Sequence, residues 1–159
     1  MAKKQGQGKY TWIDGNTYDG QWHANQITGY GIYLWHDGRK YYGQWDKNDM
    51  QGYGIYIYAD GIRYDGQFYR DKKQGFGRYY WTDGRKYEGW WYKGKQHGPG
   101  TLVNNIGTRY GLWEHGKRNI WYDEQVVTAI NEMRFDYSSQ FADASSSRCF
   151  NTNATYSVP

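Results

Sequence analysis

Residues 32–45 read IYLWHDGRKYYGQW, and this stretch decides the fold. Both of its ends are rich in β-branched and aromatic residues, which favour strands. Asp37-Gly38 stands between them, and an Asp-Gly pair flanked by two such runs is a strong signal for a β-hairpin. We therefore predict two antiparallel strands joined at Asp37-Gly38 by a two-residue loop.

The same pattern returns every 23 residues along most of the chain. A fixed period of this length is typical of repeat proteins, in which each unit stacks on the next. A Gly-x-Gly unit opens each copy, at Gly6/Gly8, Gly29/Gly31, Gly52/Gly54, Gly75/Gly77 and Gly98/Gly100. A Tyr-x-Gly-x-aromatic unit follows each hairpin, from Tyr18, Tyr41, Tyr64, Tyr87 and, one residue short, Tyr110. The polar connection from Trp45 to Gly52 is predicted to be a wider turn than the Asp-Gly loop.

The composition indicates a thin sheet rather than a globule. Aromatic residues make up 21% of the chain and glycine contributes 22 residues, whereas a three-dimensional core needs more Leu, Ile and Val. Alternation along a strand places Tyr41, Gly43 and Trp45 on one face. A ring from the adjacent strand can lie on each bare glycine, which explains glycine inside strands. We predict an all-β, single-layer antiparallel array of β-hairpins over residues 1–122.

These units together resemble the MORN repeat (membrane occupation and recognition nexus), over about residues 3–118. The resemblance implies an elongated, twisted antiparallel sheet with a groove. It also implies a scaffold or interaction module. Some members of that family are attached to lipid kinases or methyltransferases, and others occur in cilia, the cytoskeleton and membrane junctions. The residues outside the array are too few for a kinase or methyltransferase domain.

Charge and cysteine content narrow the class of protein further. The net charge is +4, with +7 on residues 1–122 and −3 on residues 123–159, which is well below that of a dedicated nucleic-acid binder. The single cysteine, Cys149, excludes an internal disulfide. No apolar leader and no long apolar run are present, so we expect a cytoplasmic protein that is neither secreted nor membrane-spanning.

The two ends depart from the repeat. The first copy begins mid-repeat, so either the array is cut from a longer one or the strand at Lys9–Ile13 is an open edge. Residues 123–137 show an acidic first turn and helical spacing, which predicts a helix that either caps the last hairpin or docks a partner. Residues 138–159 are rich in Ser, Asn and Thr and are predicted to be an irregular tail.

No pattern in the sequence points to catalysis. The four histidines, His23, His36, His97 and His115, occupy different repeat positions and lack metal-ligand spacing. The repeated aspartates are explained by turn geometry, and neither a nucleophile motif nor a phosphate loop occurs. We expect no enzyme activity, cofactor, metal, small-molecule substrate or nucleic acid.

Two surface features are the candidate binding sites. A single layer cannot bury all its rings, and large aromatics left in a groove mark interaction sites. The predicted partner-binding residues are Tyr33, Trp35, Trp45, Tyr56, Tyr58, Phe68, Tyr79, Trp81 and Trp91, although any one of these rings could instead be core. A basic stripe precedes the repeat tyrosines and could contact anionic phospholipid: Lys40, Arg63, Lys86 and Arg109. Asp19, Asp65 and Glu88 share that face, so ordinary ion pairing is the competing interpretation.

The sequence therefore predicts a non-catalytic, protein-binding scaffold, part of a cytoskeletal or ciliary (axonemal) assembly, that captures a partner segment in an aromatic groove. The alternatives are a peripheral membrane adaptor that binds anionic phospholipids and a regulatory repeat fragment of a larger enzyme.

Overall fold

The computed structural model describes residues 3–123 and 125–128, and the chain divides after Tyr122 into two units. The first unit is one antiparallel sheet whose eleven strands follow one another in chain order. They are β1 (Gly6–Thr11), β2 (Thr17–His23), β3 (Gln26–Leu34), β4 (Lys40–Asp46), β5 (Asp49–Ile57), β6 (Arg63–Tyr69), β7 (Lys72–Tyr80), β8 (Lys86–Tyr92), β9 (Lys95–Asn104), β10 (Gly107–Glu114) and β11 (Lys117–Trp121). The predicted all-β, single-layer array of hairpins is confirmed.

The polar connections between repeats are tight, and the prediction of a wide turn was wrong. Residues 24–25, 47–48, 70–71, 93–94 and 115–116 each form a two-residue turn between strands. Both residues of each turn have positive φ, as at Lys47 (48°) and Asn48 (75°). This is type I′ geometry, whose twist matches that of the flanking strands. Asn and Asp enter this backbone region more readily than most residues, so a tight turn forms even where glycine is absent.

The Asp-Gly pairs lie in longer loops than the sequence suggested. Five residues, 35–39, separate β3 from β4, and the Trp35 and Arg39 backbones close the loop with a 3.0 Å hydrogen bond. The Gly38 amide donates to the Trp35 carbonyl, and Gly38 has a φ of 94°. The bond between Trp35 and Arg39 leaves a loop of three residues, 36–38. After two-residue turns, a three-residue loop whose last residue is a glycine with positive φ is the next most common hairpin connection. The hairpin was therefore predicted correctly, but its loop type was not.

Each two-residue turn also binds the preceding repeat. The Asn48 amide donates to the Ile27 carbonyl at 3.0 Å, and the Asn48 side-chain oxygen accepts from the Ile27 amide at 2.9 Å. Asp71 makes the same two bonds to Met50, at 3.1 and 2.8 Å. Neighbouring repeats are thus joined by hydrogen bonds additional to those between strands.

The core lies on one side of the sheet, here called the ring face. Its four fully buried side chains are the repeat tyrosines, Tyr18, Tyr41, Tyr64 and Tyr87. Each tyrosine covers two glycines that pair across adjacent strands, as Tyr41 covers Gly43 and Gly54. A methyl group on either glycine would overlap the Tyr41 ring. The predicted packing of rings on glycines is confirmed for these pairs. The first glycines of three Gly-x-Gly units are instead covered by glutamine side chains: Gly29 by Gln21, Gly52 by Gln44 and Gly75 by Gln67.

Little of the predicted C-terminal helix falls within the described residues. Residues 125–128 form one helical turn, and the Asp123 carboxylate accepts a 2.9 Å hydrogen bond from the Val126 amide, as a helix N-cap does. The rest of the predicted helix over 123–137 and the whole predicted tail over 138–159 lie outside the described residues. In the described part of the chain, no helix is long and apolar enough to cross a membrane.

Candidate functional site

The nine aromatic residues predicted to bind a partner all lie on the ring face, but they divide into two groups. Four of them are 5–7% exposed and belong to the core: Trp45, Tyr56, Phe68 and Trp91. The other five are partly buried and pack on the edge of that core: Tyr33, Trp35, Tyr58, Tyr79 and Trp81. Only this second group offers ring surface to another molecule without rearrangement of the sheet.

The partly buried rings form a continuous row beside the Asp-Gly loops, here called the hairpin ring row: Trp12, Tyr33, Trp35, Tyr58, Tyr79 and Trp81. Within a repeat, the centroids of Tyr33 and Trp35 are 4.5 Å apart. Between repeats, Trp12 meets Tyr33 at 5.4 Å, and Tyr58 meets Tyr79 at 6.2 Å. The buried Tyr56 bridges the remaining gap, because it contacts Trp35 at 5.5 Å and Tyr58 at 4.7 Å.

Arginine–aspartate pairs stand at two of the Asp-Gly loops. The guanidinium of Arg39 lies 5.0 Å from the Trp35 ring and pairs with Asp37 at 2.8 Å. Arg85 repeats this arrangement with Trp81 and Asp83. Hydrogen bonding from the backbone amide of residue 39 holds the pKa of Asp37 below its usual value. The row is therefore formed by aromatic rings and is polar at its loop margin, and protein interfaces likewise have a polar rim.

Three of the four residues of the predicted basic stripe lie on the face opposite the rings. Arg63 is held by two hydrogen bonds to Asp65, at 2.5 and 2.7 Å, and Lys86 lies 3.6 Å from Glu88. Lys40 is exposed and has no carboxylate partner among the residues that the structure describes. Two of these three cations, Arg63 and Lys86, are thus paired with carboxylates of the sheet.

Arg109 does not belong to that stripe, and its predicted register was wrong. The glycine pairing of β9 with β10 joins Gly111 to Gly100 and Arg109 to Leu102. The missing residue is therefore lost in the loop before β10, and Arg109 takes the place that a tyrosine has in the other copies. Its guanidinium lies 4.2 Å from the ring of Trp121, which covers Gly111 from β11. Arg109 consequently lies on the ring face.

An exposed aromatic row on the opposite face was missed by the sequence reasoning. It consists of Tyr30 (64% exposed), Tyr53 (56%), Phe76 (38%) and Trp90 (44%). Tyr30, Tyr53 and Phe76 are the middle residues of Gly-x-Gly units, and their amides donate to the side chains of Gln21, Gln44 and Gln67. The recurring aromatic between two glycines was the available signal.

Lys73 is the second residue that was missed. It pairs with Phe68 across β6 and β7, on the ring face, in the place that Ile27 and Met50 have in earlier repeats. Its ammonium nitrogen lies 4.5–5.6 Å from four ring centroids, those of Tyr58, Tyr64, Tyr79 and Trp91. A lysine 23 residues after Met50 and 46 residues after Ile27 was the available signal.

The MORN repeat family model matches residues 2–17, 18–38, 41–63, 64–84 and 87–109, which together exceed half of the chain. The chain belongs to the MORN repeat family. MORN repeats build scaffolds that bind proteins or membranes. The fifth match ends at Arg109, where the structure places the altered ring position. A comparison with curated proteins found no match. Within the described residues, no three His, Cys, Asp or Glu side chains are grouped so that they could hold a metal ion.

Proposed function

We propose that this MORN-repeat chain is a non-catalytic, cytoplasmic scaffold that binds a protein segment along the hairpin ring row, as part of a cytoskeletal or ciliary assembly. The observation that supports it is the row of partly buried rings through four repeats, which also includes the Lys73 ammonium, 5.6 Å from the Tyr58 ring and 4.7 Å from the Tyr79 ring. Partly buried aromatic rings of this kind are enriched among residues that dominate binding energy. Because the rings already pack on the core, they lose little side-chain freedom when a partner binds.

The test is a triple substitution in the row, Trp35→Gln, Tyr58→Gln and Trp81→Gln. Tyr56 is left unchanged, because it is buried and its loss would unfold the sheet rather than remove a contact. A matched control replaces three aromatic residues of the opposite face, Tyr30→Gln, Tyr53→Gln and Phe76→Gln. Circular dichroism and thermal melting establish that both variants are folded.

Partner capture is then measured by crosslinking mass spectrometry in native extract, with the wild-type chain and both variants. We expect crosslinks to a partner segment to be lost in the ring-row variant and kept in the control. If the ring-row variant captures the same segment as the wild type, the proposal is wrong.

A peripheral membrane role is the second candidate, because MORN repeats are generally involved in protein or membrane-lipid interactions and Lys40 is exposed, with no carboxylate partner among the described residues. It has less support, because Arg63 and Lys86 are paired with carboxylates and Arg109 lies on the other face. Flotation with anionic vesicles tests it. Binding should fall with salt and on neutralisation of Lys40, Arg63 and Lys86, and absence of flotation at low salt would rule it out.

A role as a regulatory fragment of a larger enzyme is a third candidate, and sequencing of the upstream coding region tests it.

A further inference from the structure

Lys73 has an environment unlike that of an ordinary surface lysine. Its nitrogen donates one 3.2 Å hydrogen bond to the Tyr58 hydroxyl, and its nearest ring is that of Trp91, at 4.5 Å. None of the ion pairs in the described part of the chain includes Lys73. The ammonium is therefore held by ring faces and one hydroxyl, without a carboxylate to stabilise its charge.

Withdrawal from water without a counter-charge favours the uncharged amine. Burial lowers the pKa of Lys73 to about 8, and no charged group among the described residues opposes this shift. The ionisable groups that face the nitrogen are Tyr58, Tyr64 and Tyr79, all of which are neutral at pH 7. A desolvated lysine in an apolar pocket is a recognised form of activated nucleophile.

The repeat itself shows what the position tolerates. Lys4 is the equivalent residue of the first copy, and its ammonium lies 3.4 Å from the centroid of the Tyr10 ring. Ile27 and Met50 place neutral side chains at this position, and Gln96, which pairs with Trp91, places a neutral amide there. An acylated lysine is likewise a neutral side chain that ends in an amide. Lys73 is half-buried rather than fully buried.

We propose that Lys73 is a site of acylation at its side-chain nitrogen, with small acyl thioesters as the donor class. The lone pair of the neutral amine attacks the thioester carbonyl carbon, a nitrogen–carbon bond forms and the carbon–sulfur bond breaks. The thiolate leaves and takes up the proton that the nitrogen loses. Acylation replaces the ammonium among the four rings with a neutral amide, the same functional group that Gln96 carries.

The experiment incubates the full chain with acetyl-coenzyme A between pH 7 and pH 10.5 and measures acetylation by mass spectrometry. Lys72 is the internal control, because it is the adjacent residue in β7, is exposed and has no ring contacts in the described structure. At pH 8 a group with a pKa near 8 has roughly a hundredfold larger neutral fraction than an ordinary lysine. Lower intrinsic nucleophilicity and partial burial reduce this advantage, so we expect Lys73 to react about tenfold faster than Lys72.

The pH profile provides the second readout. The rate at Lys73 should level off above about pH 9, whereas the rate at Lys72 should continue to rise to pH 10.5. In concentrated urea the two rates should converge, because the ring contacts around Lys73 are then absent. A Lys73 rate below that of Lys72 at pH 8 in the folded chain, or equal rates there, would overturn the proposal. Lys73→Gln provides the acylation mimic, and it should fold and melt at or above the wild-type temperature.

Discussion

At the scale of single residues, the glycines under the buried tyrosines are required by space. Gly54 has Tyr41 directly above it, and a Cβ atom there would overlap the ring. Gly8 occupies the equivalent strand position in β1, but its Cβ would lie 3.9 Å from Trp22, an ordinary contact. The two glycines have the same place in the repeat, but a tyrosine ring covers Gly54 and does not cover Gly8.

Gly54→Ala should therefore destabilise the sheet by about 2–3 kcal/mol or more, because overpacking forces the Tyr41 ring out of its place. Gly8→Ala should change the free energy of unfolding by less than about 1 kcal/mol. Urea denaturation of both variants measures the difference. Equal losses would show that glycine is needed at these positions for backbone reasons instead.

The buried tyrosines give the array a sharp alkaline limit. Burial raises the pKa of Tyr18 to about 12 and raises the pKa of Tyr41, Tyr64 and Tyr87 as well. In the unfolded chain these tyrosine hydroxyls lose their protons near pH 10. The buried, protonated tyrosines therefore contribute their full stability to the fold below pH 10, and this contribution is lost as the pH rises toward 12. We expect cooperative unfolding in that window, followed by circular dichroism together with tyrosinate absorbance. Tyrosinate absorbance that rises fully before the sheet unfolds would contradict this.

Lys73 has the opposite dependence on pH. Its pKa of about 8 is lower in the folded chain than in the unfolded one, so wild-type stability should rise between about pH 8 and pH 10. Lys73→Met copies Met50 of the preceding repeat and removes this buried charge. The variant should be more stable than the wild type at pH 7, by on the order of 1 kcal/mol, because the lost ring contacts offset part of the gain. The advantage should shrink toward pH 10, and an advantage that is independent of pH would contradict the assignment.

At the scale of single elements, the two-residue turns combine a backbone conformation with a bond to the previous repeat. Asn48→Gly keeps the positive φ but removes the side-chain oxygen that accepts from the Ile27 amide. We expect a loss of about 1–2 kcal/mol, because the Ile27 amide is then left without that acceptor. Gly94→Asn is the reciprocal change, since Gly94 contacts the Lys73 carbonyl through its amide alone, and it should stabilise the chain. Chemical denaturation measures both, and a neutral Asn48→Gly would mean that the side-chain bond contributes nothing.

These elements also show what the sequence could predict. The 23-residue period and the two-residue alternation in β4 were enough to predict the sheet, its strand order and the packing of aromatic rings on glycines within strands. The width of the turns between repeats was predicted wrongly, because Lys47-Asn48 contains no glycine to indicate a tight turn. The hydrogen bonds from Asn48 to Ile27 that hold this turn are visible only in the structure. The stripe was misjudged at Arg109, because spacing alone could not show in which loop the fifth copy had lost its residue. The exposure of individual rings depends on neighbours two strands away, so Trp45 and Trp35 could not be distinguished.

At the scale of the whole sheet, each strand is hydrogen-bonded only to the strands beside it, and its ring contacts reach no further than the nearest repeats, so stability should vary along the array. β1 pairs only with β2 among the described residues, whereas β5, β6 and β7 each have partners on both sides and the bonds between repeats. In such arrays the ends open more easily than the middle. Amide hydrogen exchange should therefore be fastest in β1 and slowest in β5–β7. Identical protection in all strands would mean that the array opens only as one unit.

The short fifth copy shows that loop length and strand alignment are set independently in this protein. The loop between β9 and β10 has lost a residue, yet Gly111 still meets Gly100, because the glycines fix how the strands align. A tag or reporter peptide inserted between Asn105 and Ile106 should thus leave every strand where it is. Labels can therefore be placed in different loops, at known positions along the sheet, without changing the strand alignment. Sequences of related chains are better aligned by their glycines than by counting residues.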